Sequence, residues 1–422
     1  MSSVPTSSST AEPAKTRNRW VILAGGVLVQ LAIGAVYAWS VFSRAFQSDQ
    51  SALQLTKVQA AIPFEVAIGM IFVGTFIGGR IQDRRGPRTV ALTGVVIYSI
   101  GIILSSFARD AGDLWILILG YGVLSGFGLG LAYIVPIAML QKWFPDKAGL
   151  ITGIAVGGFG FGAVITAPVA EWLLGGNRAE PAAAFLPLGI AYLVLGVLGA
   201  LTFANPPAKK TDATATSGTT QQHAGRDFTQ AEALRTPQWF LLTAILAFSV
   251  TAGISLISVA SATAVDVAGF SGAAAAALVG FLGLFNGAGR IFWAWLSDKI
   301  GKMPAFVGIL AIQGLALIAI PHATAAWAFV ILAALIYTCY GGGFGAMPST
   351  AGQFFGVKNA GGIYGLMLIA WSIGGVAGPL ITTALIGAEQ NYTLAFTVIG
   401  AIAVVAAVLP LITKKPARPT TS

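Results

Sequence analysis

Nine stretches of this chain carry no charged residue, and one of them, Met303 to Val357, is long enough to cross a bilayer twice. The others are Trp20 to Ser43, Thr89 to Ala108, Leu114 to Gln141, Ala148 to Ala170, Pro181 to Ala208, Thr236 to Val265, Asn359 to Ala388 and Gln390 to Thr413. A helix needs about 20 largely apolar residues to span the hydrocarbon core. Lipid offers backbone groups no hydrogen-bond partner, which leaves helices and closed barrels, and runs of this length fit helices rather than barrel strands of about 10 residues. Pro321-His322-Ala323-Thr324 divides the long run. Two further spans tolerate one charge each: Val58 to Gly79 holds Glu65, and Gly272 to Leu296 holds Arg290. The expected fold is all-α, with twelve transmembrane helices.

Only 9% of the residues are charged and 56% are hydrophobic, against roughly 25% charged in a soluble protein. The net charge of +9 resides in the short connections between apolar runs, which is a topology signal and excludes a nucleic-acid surface. With the first residues inside, nineteen Lys and Arg fall on one side and four on the other, Arg290 completing the 24. The positive-inside rule then makes both termini cytoplasmic, and the expected location is the cell inner (plasma) membrane. The expected organisation is a disordered tail over 1–16, a first bundle over 17–204, a cytoplasmic linker over 205–236, a second bundle over 237–413 and a tail over 414–422. The stretch from Arg226 to Pro237 reads as amphipathic and is expected to lie along the membrane surface. The first apolar run lacks a cleavage site and reads as a retained helix. Cys339, in an apolar stretch, reads as packing.

The two halves repeat. Gly79-Arg80-Ile81-Gln82-Asp83-Arg84-Arg85-Gly86-Pro87-Arg88 follows the second span, and Ala294-Trp295-Leu296-Ser297-Asp298-Lys299-Ile300-Gly301-Lys302 follows the eighth. Lys142-Trp143-Phe144-Pro145-Asp146-Lys147-Ala148-Gly149 recurs as Gln353-Phe354-Phe355-Gly356-Val357-Lys358-Asn359-Ala360, and the fourth and tenth spans share Gly-rich runs ending near Pro136 and Pro348. Parallel repeats imply two pseudo-symmetric six-helix bundles with a solute site near the midplane between them.

Gly79-x-x-x-Asp83-Arg84-x-Gly86-x-Arg88 resembles the signature loop of the major facilitator superfamily. Tyr37-x-Trp39-Ser40, Arg235-x-Pro237-Gln238-Trp239 and Asn286-Gly287-x-x-Arg290-x-x-Trp293-x-x-x-Ser297-Asp298-Lys299 narrow the resemblance to the oxalate/formate antiporter family, relatives of the monocarboxylate transporters. The likeness runs from about residue 17 to 413. It implies that Gly79, Asp83, Arg84, Gly86, Arg88, Asp298 and Lys299 belong to loops that latch the cytoplasmic side. Asp83 can cap a helix start or pair with Arg84 or Arg88. Loops that only fix topology are the plainer alternative.

Arg290 is the informative charge. Eight residues at 1.5 Å each place it about 12 Å deeper than Asp298. A guanidinium there costs about 3 kcal/mol on insertion scales, and it cannot shed its proton. No carboxylate stands at matching depth: Glu65 lies about 27 Å from the level of Asp83, and Glu171 and Asp266 lie at outer helix ends. An anion that comes and goes, held by the two-pronged guanidinium edge, is the sharp reading; satisfaction by carbonyls and hydroxyls is the bland one. Asn286 shares the helix face of Arg290 and can donate to the same substrate, or tie helices together.

The resemblance further implies an aromatic cage, which falls on Tyr37, Tyr133 and Tyr340, with Phe159 and Phe344 as walls or plain packing. Tyrosine suits the task because its hydroxyl donates while its ring excludes water. Where the family's oxalate carrier has a lysine, this chain has Trp371, and the eleventh span holds no cation. One positive charge matches a monocarboxylate of the lactate, pyruvate or formate type rather than oxalate.

The expected function is therefore secondary active transport of such an anion by a monomer in the bilayer, with proton symport favoured and anion exchange the alternative. Glu65 is the candidate proton carrier, a helix-contact carboxylate being the plainer role. The proton can instead ride on the substrate. A membrane enzyme is disfavoured because no His, Cys or carboxylate cluster has metal spacing and no base adjoins a nucleophile; no cofactor is implied. A transporter-like sensor lacks an appended signalling domain.

Overall fold

The computed structural model describes residues 18–207, 226–387 and 391–419. The tail at 1–16, most of the linker including His223, and the last three residues lie outside them. Twelve helices are long and apolar enough to cross a membrane. They are α1 (Arg19–Phe46), α2 (Val58–Arg85), α3 (Pro87–Ser105), α4 (Ala111–Trp143), α5 (Pro145–Gly176), α6 (Pro181–Leu201), α7 (Pro237–Ala268), α8 (Ala277–Ile300), α9 (Lys302–His322), α10 (Ala326–Phe355), α11 (Ala360–Ile386) and α12 (Tyr392–Ile412). No strand occurs among the described residues. The first six helices form one bundle and the last six the other.

The turns between spans have a local chemical cause. Thr56 caps α2 in a reciprocal box with Gln59, and Thr236 caps α7 with Pro237 in its first turn. Gly86 (φ 90°) and Gly301 (φ 97°) sit at equivalent corners, between α2 and α3 and between α8 and α9. A side chain is strained at such angles, so glycine makes the tight reversal possible. Bands of exposed Leu, Ile and Val, such as Ile190, Val194, Leu198 and Leu201 on α6, face outward. Trp115, Trp172 and Trp327 are exposed near one end of their spans and Trp20 near the other, as aromatic belts at membrane interfaces require.

Two spans are broken where they pass the centre. A 3₁₀ turn over Gly34–Ala38 interrupts α1, and α11 divides at Leu368 between helical segments Ala360–Met367 and Ile369–Ile386. Breaks of this kind redirect side chains and free backbone groups beside polar sites.

The segment after the linker departs from the expected membrane-surface helix. It makes one turn, Gln230–Ala233, and docks on protein. Phe228 is buried against Phe355 with ring centroids 5.4 Å apart. Asp227 accepts from the Lys358 amide at 3.0 Å and pairs with Arg418 at 2.9 Å. Gln230 donates to the Gly362 carbonyl at 2.7 Å and accepts from Arg80 at 2.5 Å, which ties both bundles to one side chain. The amphipathic pattern was real, but its apolar face found α10 and α11 rather than lipid.

Candidate functional site

The bundles meet tightly at the end that carries the repeated loops. Asp83, at the end of α2, accepts from the amides of Gly361 at 3.3 Å and Gly362 at 2.7 Å, where α11 begins. Asp298, at the end of α8, accepts from the Leu150 amide at 3.0 Å, where α5 begins. Each half thus places an acid on a helix start of the other half, where unpaired amides and the helix dipole favour negative charge.

Asp83 does not pair with Arg84 or Arg88. Its cation is Lys142, 3.8 Å away. Arg88 donates to the Phe203 carbonyl at 3.1 Å, and Arg84 is exposed. On the other loop Lys299 is exposed, and Lys302 takes the place expected for it, bonding Asp298 at 2.6 Å and the hydroxyls of Ser297 and Ser349. The adjacent basic residues point off the seam, whereas Lys302, beyond the Gly301 corner at the start of α9, points into it.

From this latched end the bundles diverge. A methyl group on Gly149 would collide with the Asp298 carboxylate, and one on Gly79 with the Gly361 carbonyl. Farther along α5 and α8 a methyl on Gly160 would lie 2.7 Å from Gly287, and one on Gly283 would have 3.7 Å of clearance from Val164. One on Gly280 would touch nothing within 4 Å. The seam of α2 and α11 stays in contact farther out, where Ser372 donates to the Ile68 carbonyl at 3.2 Å.

Arg290 lies on this interface, in the tight half of the α5–α8 seam, and is 0% exposed. Its guanidinium stands 5.3 Å from the ring centre of Phe159 on α5 and 5.1 Å from that of Phe344 on α10. Its Nε donates to the Asn286 side chain at 3.3 Å. Neither terminal nitrogen makes a well-aligned hydrogen bond, although the Tyr37 and Tyr133 hydroxyls stand within range of the guanidinium, and no described carboxylate forms an ion pair with it. Asn286 thus serves the arginine, orienting its free edge.

The aromatic residues expected from resemblance come together around it. Trp371 contacts Phe344, Tyr133, Phe159 and Tyr37 with ring centroids 5.0, 5.6, 5.7 and 6.4 Å away. The Tyr37 and Tyr340 hydroxyls, one from each bundle, approach to 3.4 Å. Tyr37 is half-buried, while Tyr133 and Tyr340 are buried. Phe159 and Phe344 are therefore walls of the arginine's chamber.

Sequence reading missed Tyr364. It lies on α11 and is 1% exposed, and its hydroxyl stands within hydrogen-bonding range of that of Tyr133 without a well-aligned bond between them. Both hydroxyls fall within electrostatic reach of Arg290 and of each other. Two helical turns separate Tyr364 from Trp371, a spacing that puts both on one face and could have exposed it. Glu65 stays apart from this assembly: it is exposed, and no hydrogen bond or ion pair joins it to a described residue. That is not the helix-contact carboxylate considered as its plainer role.

Fold and site define a class: a multi-pass membrane protein of two six-helix bundles, its polar centre enclosed where they meet. The chain belongs to the Major Facilitator Superfamily, whose family model matches residues 22–379. It is 28% identical over 362 residues to the uncharacterized MFS-type transporter YhjX of Escherichia coli K12, covering 85% of this chain and 86% of that protein. It is 29% identical over 378 residues to the oxalate:formate antiporter of Oxalobacter formigenes, covering 87% and 85%. To monocarboxylate transporter 13 of Rattus norvegicus it is 27% identical over 387 residues, covering 90% and 85%. The structure of the proton:xylose symporter XylE bound to 6-bromo-6-deoxy-D-glucose superposes with a TM-score of 0.71 at 15% identity, covering 94% and 96% of the two chains, which speaks to the fold alone. Its curated relatives are thus named as transporters, oxalate:formate and monocarboxylate carriers among them.

Proposed function

We propose that this protein is a secondary active transporter of a small monocarboxylate, of the lactate, pyruvate or formate type, working by alternating access. The observation that carries the reading is the Arg290 guanidinium, fully enclosed between two phenyl rings with no well-aligned bond on its two-pronged edge. Charge-assisted hydrogen bonds from such an edge to a carboxylate are about twice as strong as neutral ones. A single cation suits a monoanion, and the ring cage excludes the water that would otherwise screen the pair. Asn286 holds the fork, and Tyr37, Tyr133, Tyr340 and Trp371 complete the enclosure. The loops around Gly79, Asp83, Gly86 and Asp298 close the cytoplasmic end, with both termini on that side in the plasma membrane. The diverging end is then the outward mouth through which the anion enters. One monomer is the transport unit.

A monoanion moving with one proton is electroneutral, so an inward proton gradient drives net uptake. Anion exchange is the second reading. One feature favours it: among the described residues no carboxylate adjoins Arg290, and exchange requires none. Glu65, exposed on the half of α2 far from Asp83, is the remaining candidate for a proton carrier.

The test is uptake of labelled lactate, pyruvate, formate and oxalate into proteoliposomes, with and without an inward proton gradient or preloaded anion. Gradient-stimulated monoanion uptake is expected, with oxalate excluded. Arg290→Ala should abolish it. Undiminished anion uptake by that variant would overturn the reading.

A further inference from the structure

Outside the chamber, α4 contains an uncommon element. Ile118–Ser125 is a π-helix of 8 residues. The wide π turn seldom extends beyond a single bulge and concentrates at functional sites, so this stretch calls for a cause. Glycines let it pack tightly against two neighbours. A methyl on Gly120 would lie 2.6 Å from the Ser105 hydroxyl of α3, and one on Gly122 would lie 2.9 Å from Val66 of α2. The Ser125 hydroxyl donates to the Tyr121 carbonyl within the stretch. Between the two glycines, Tyr121 is buried and sends its hydroxyl to α1, where it donates to the Val36 carbonyl at 3.2 Å.

Val36 belongs to the 3₁₀ turn Gly34–Ala38 that interrupts α1, and its carbonyl also accepts from the Trp39 amide. The break is braced from three helices of its own bundle. The Tyr121 ring of α4 lies 4.2 Å from Trp39, and the Trp39 indole donates to the Ala60 carbonyl of α2 at 2.9 Å. At the first residue of the break, a methyl on Gly34 would collide with the Phe159 carbonyl of α5. Tyr37 lies between these braces, with its hydroxyl against that of Tyr340 and within range of Arg290. A 3₁₀ residue turns the chain by about 120° and an α residue by about 100°. At Tyr37, the fourth residue of the break, the difference has grown to about 80°. Relaxation to a plain α-helix would therefore swing Tyr37 away from both partners.

We propose that Tyr121 is a positioning residue for the anion site: the π stretch of α4 aims its hydroxyl at the Val36 carbonyl, and that bond holds the α1 break in the form that presents Tyr37 to Arg290. The proposal rests on the carboxylate-binding role given to Arg290 above and adds a residue that never touches the anion. Tyr121 acts through Tyr37, so its effect on binding exists only while Tyr37 has a hydroxyl to present.

The experiment measures pyruvate uptake kinetics in proteoliposomes for Tyr121→Phe, Tyr37→Phe, the double variant and Tyr192→Phe, with melting in detergent alongside. Tyr121→Phe keeps the ring against Trp39 and removes only the hydroxyl. It should raise the KM about fivefold, the equivalent of one hydrogen bond, with kcat within about twofold. In the Tyr37→Phe background the same change should add less than about twofold, since contacting residues on one path are not additive. Tyr192→Phe strips a buried hydroxyl of the same bundle, bonded to Thr166 at 3.2 Å, and should leave the KM unaltered. An unaltered KM in Tyr121→Phe, or the same factor with and without the Tyr37 hydroxyl, would overturn the proposal. So would a loss of kcat and melting temperature well beyond that of Tyr192→Phe, which would make the role merely structural. Any of these results alongside abolished uptake in Arg290→Ala would defeat the positioning role alone. Retained uptake in Arg290→Ala, or no uptake of pyruvate at all, would defeat the transport reading with it.

Discussion

Replacing Arg290 by methionine separates a ligand-binding arginine from a structural one. The side chain's present interactions are two ring faces, at about 0.5–2 kcal/mol each in a desolvated setting, and one hydrogen bond from Nε to Asn286. That bond is worth about 1.5–3 kcal/mol because its donor is charged. Against these stand two terminal nitrogens without well-aligned bonds, at about 1–3 kcal/mol apiece. The two sides nearly cancel. Methionine fills comparable volume and keeps the sulfur–ring contacts with Phe159 and Phe344. The unliganded variant should therefore match the parent to within about 2 kcal/mol. Removing one partner from a satisfied buried charge network would cost about 3–5 kcal/mol instead. Ligand response should differ sharply. Saturating pyruvate at about 100 times its Kd should stabilise the parent by about 2.7 kcal/mol and the variant not at all. The assay is a melting scan of both proteins in detergent, with and without pyruvate. Arg290→Met melting far below the parent without ligand, or a parent indifferent to every monocarboxylate, would refute the reasoning.

Asn286→Ala should strand the Arg290 Nε and unfix its fork, raising the KM for pyruvate about tenfold with a smaller change in kcat, as liposome kinetics can read. Gly149→Val places methyl groups where the Asp298 carboxylate now caps α5. A cysteine substituted for buried Thr152 should then react with an impermeant maleimide several times faster than in the Gly149 parent. The docked turn after the linker should resist acid. Arg226 and the Thr229 cap hold the Glu232 carboxyl down to about 2, below the ordinary value near 4.3. Its stabilising share is complete above that ordinary value and is lost as pH falls toward 2. Hydrogen exchange of residues 228–236 should therefore be unchanged between pH 7 and 5 beyond the intrinsic pH dependence, and lose protection only below about 4.

The twelve spans were legible because lipid imposes the same demand on every turn of a crossing helix, and water-soluble folds seldom go about 20 residues without a charge. Arg290 was legible for the converse reason: a charge where none is tolerated must be there for something. The partners of Asp83 and Asp298 were not. Local sequence suggests Arg84 and Arg88, but helix phase points those side chains away, and the true contacts, Gly361, Gly362 and Leu150, lie in the other half of the chain. Tyr364 was hidden among other aromatics in an apolar run, since its approach to Tyr133 and Arg290 is a property of three dimensions. The stretch from Arg226 to Pro237 shows the limit of amphipathic pattern, which reports that an apolar face will be covered without saying whether lipid or protein covers it.

Under the alternating access proposed above, the reciprocal capping also gives the motion an order. Closure is held by two carboxylates, one from each half, and swinging the bundles apart must return both to water and leave two bare helix starts behind. The two are unequally sheltered: the Asp83 side chain is 8% exposed and that of Asp298 26%. Separation should start at the wetter contact, between α5 and α8, and reach α2 and α11 only afterwards, so the interface unzips from one side rather than parting evenly.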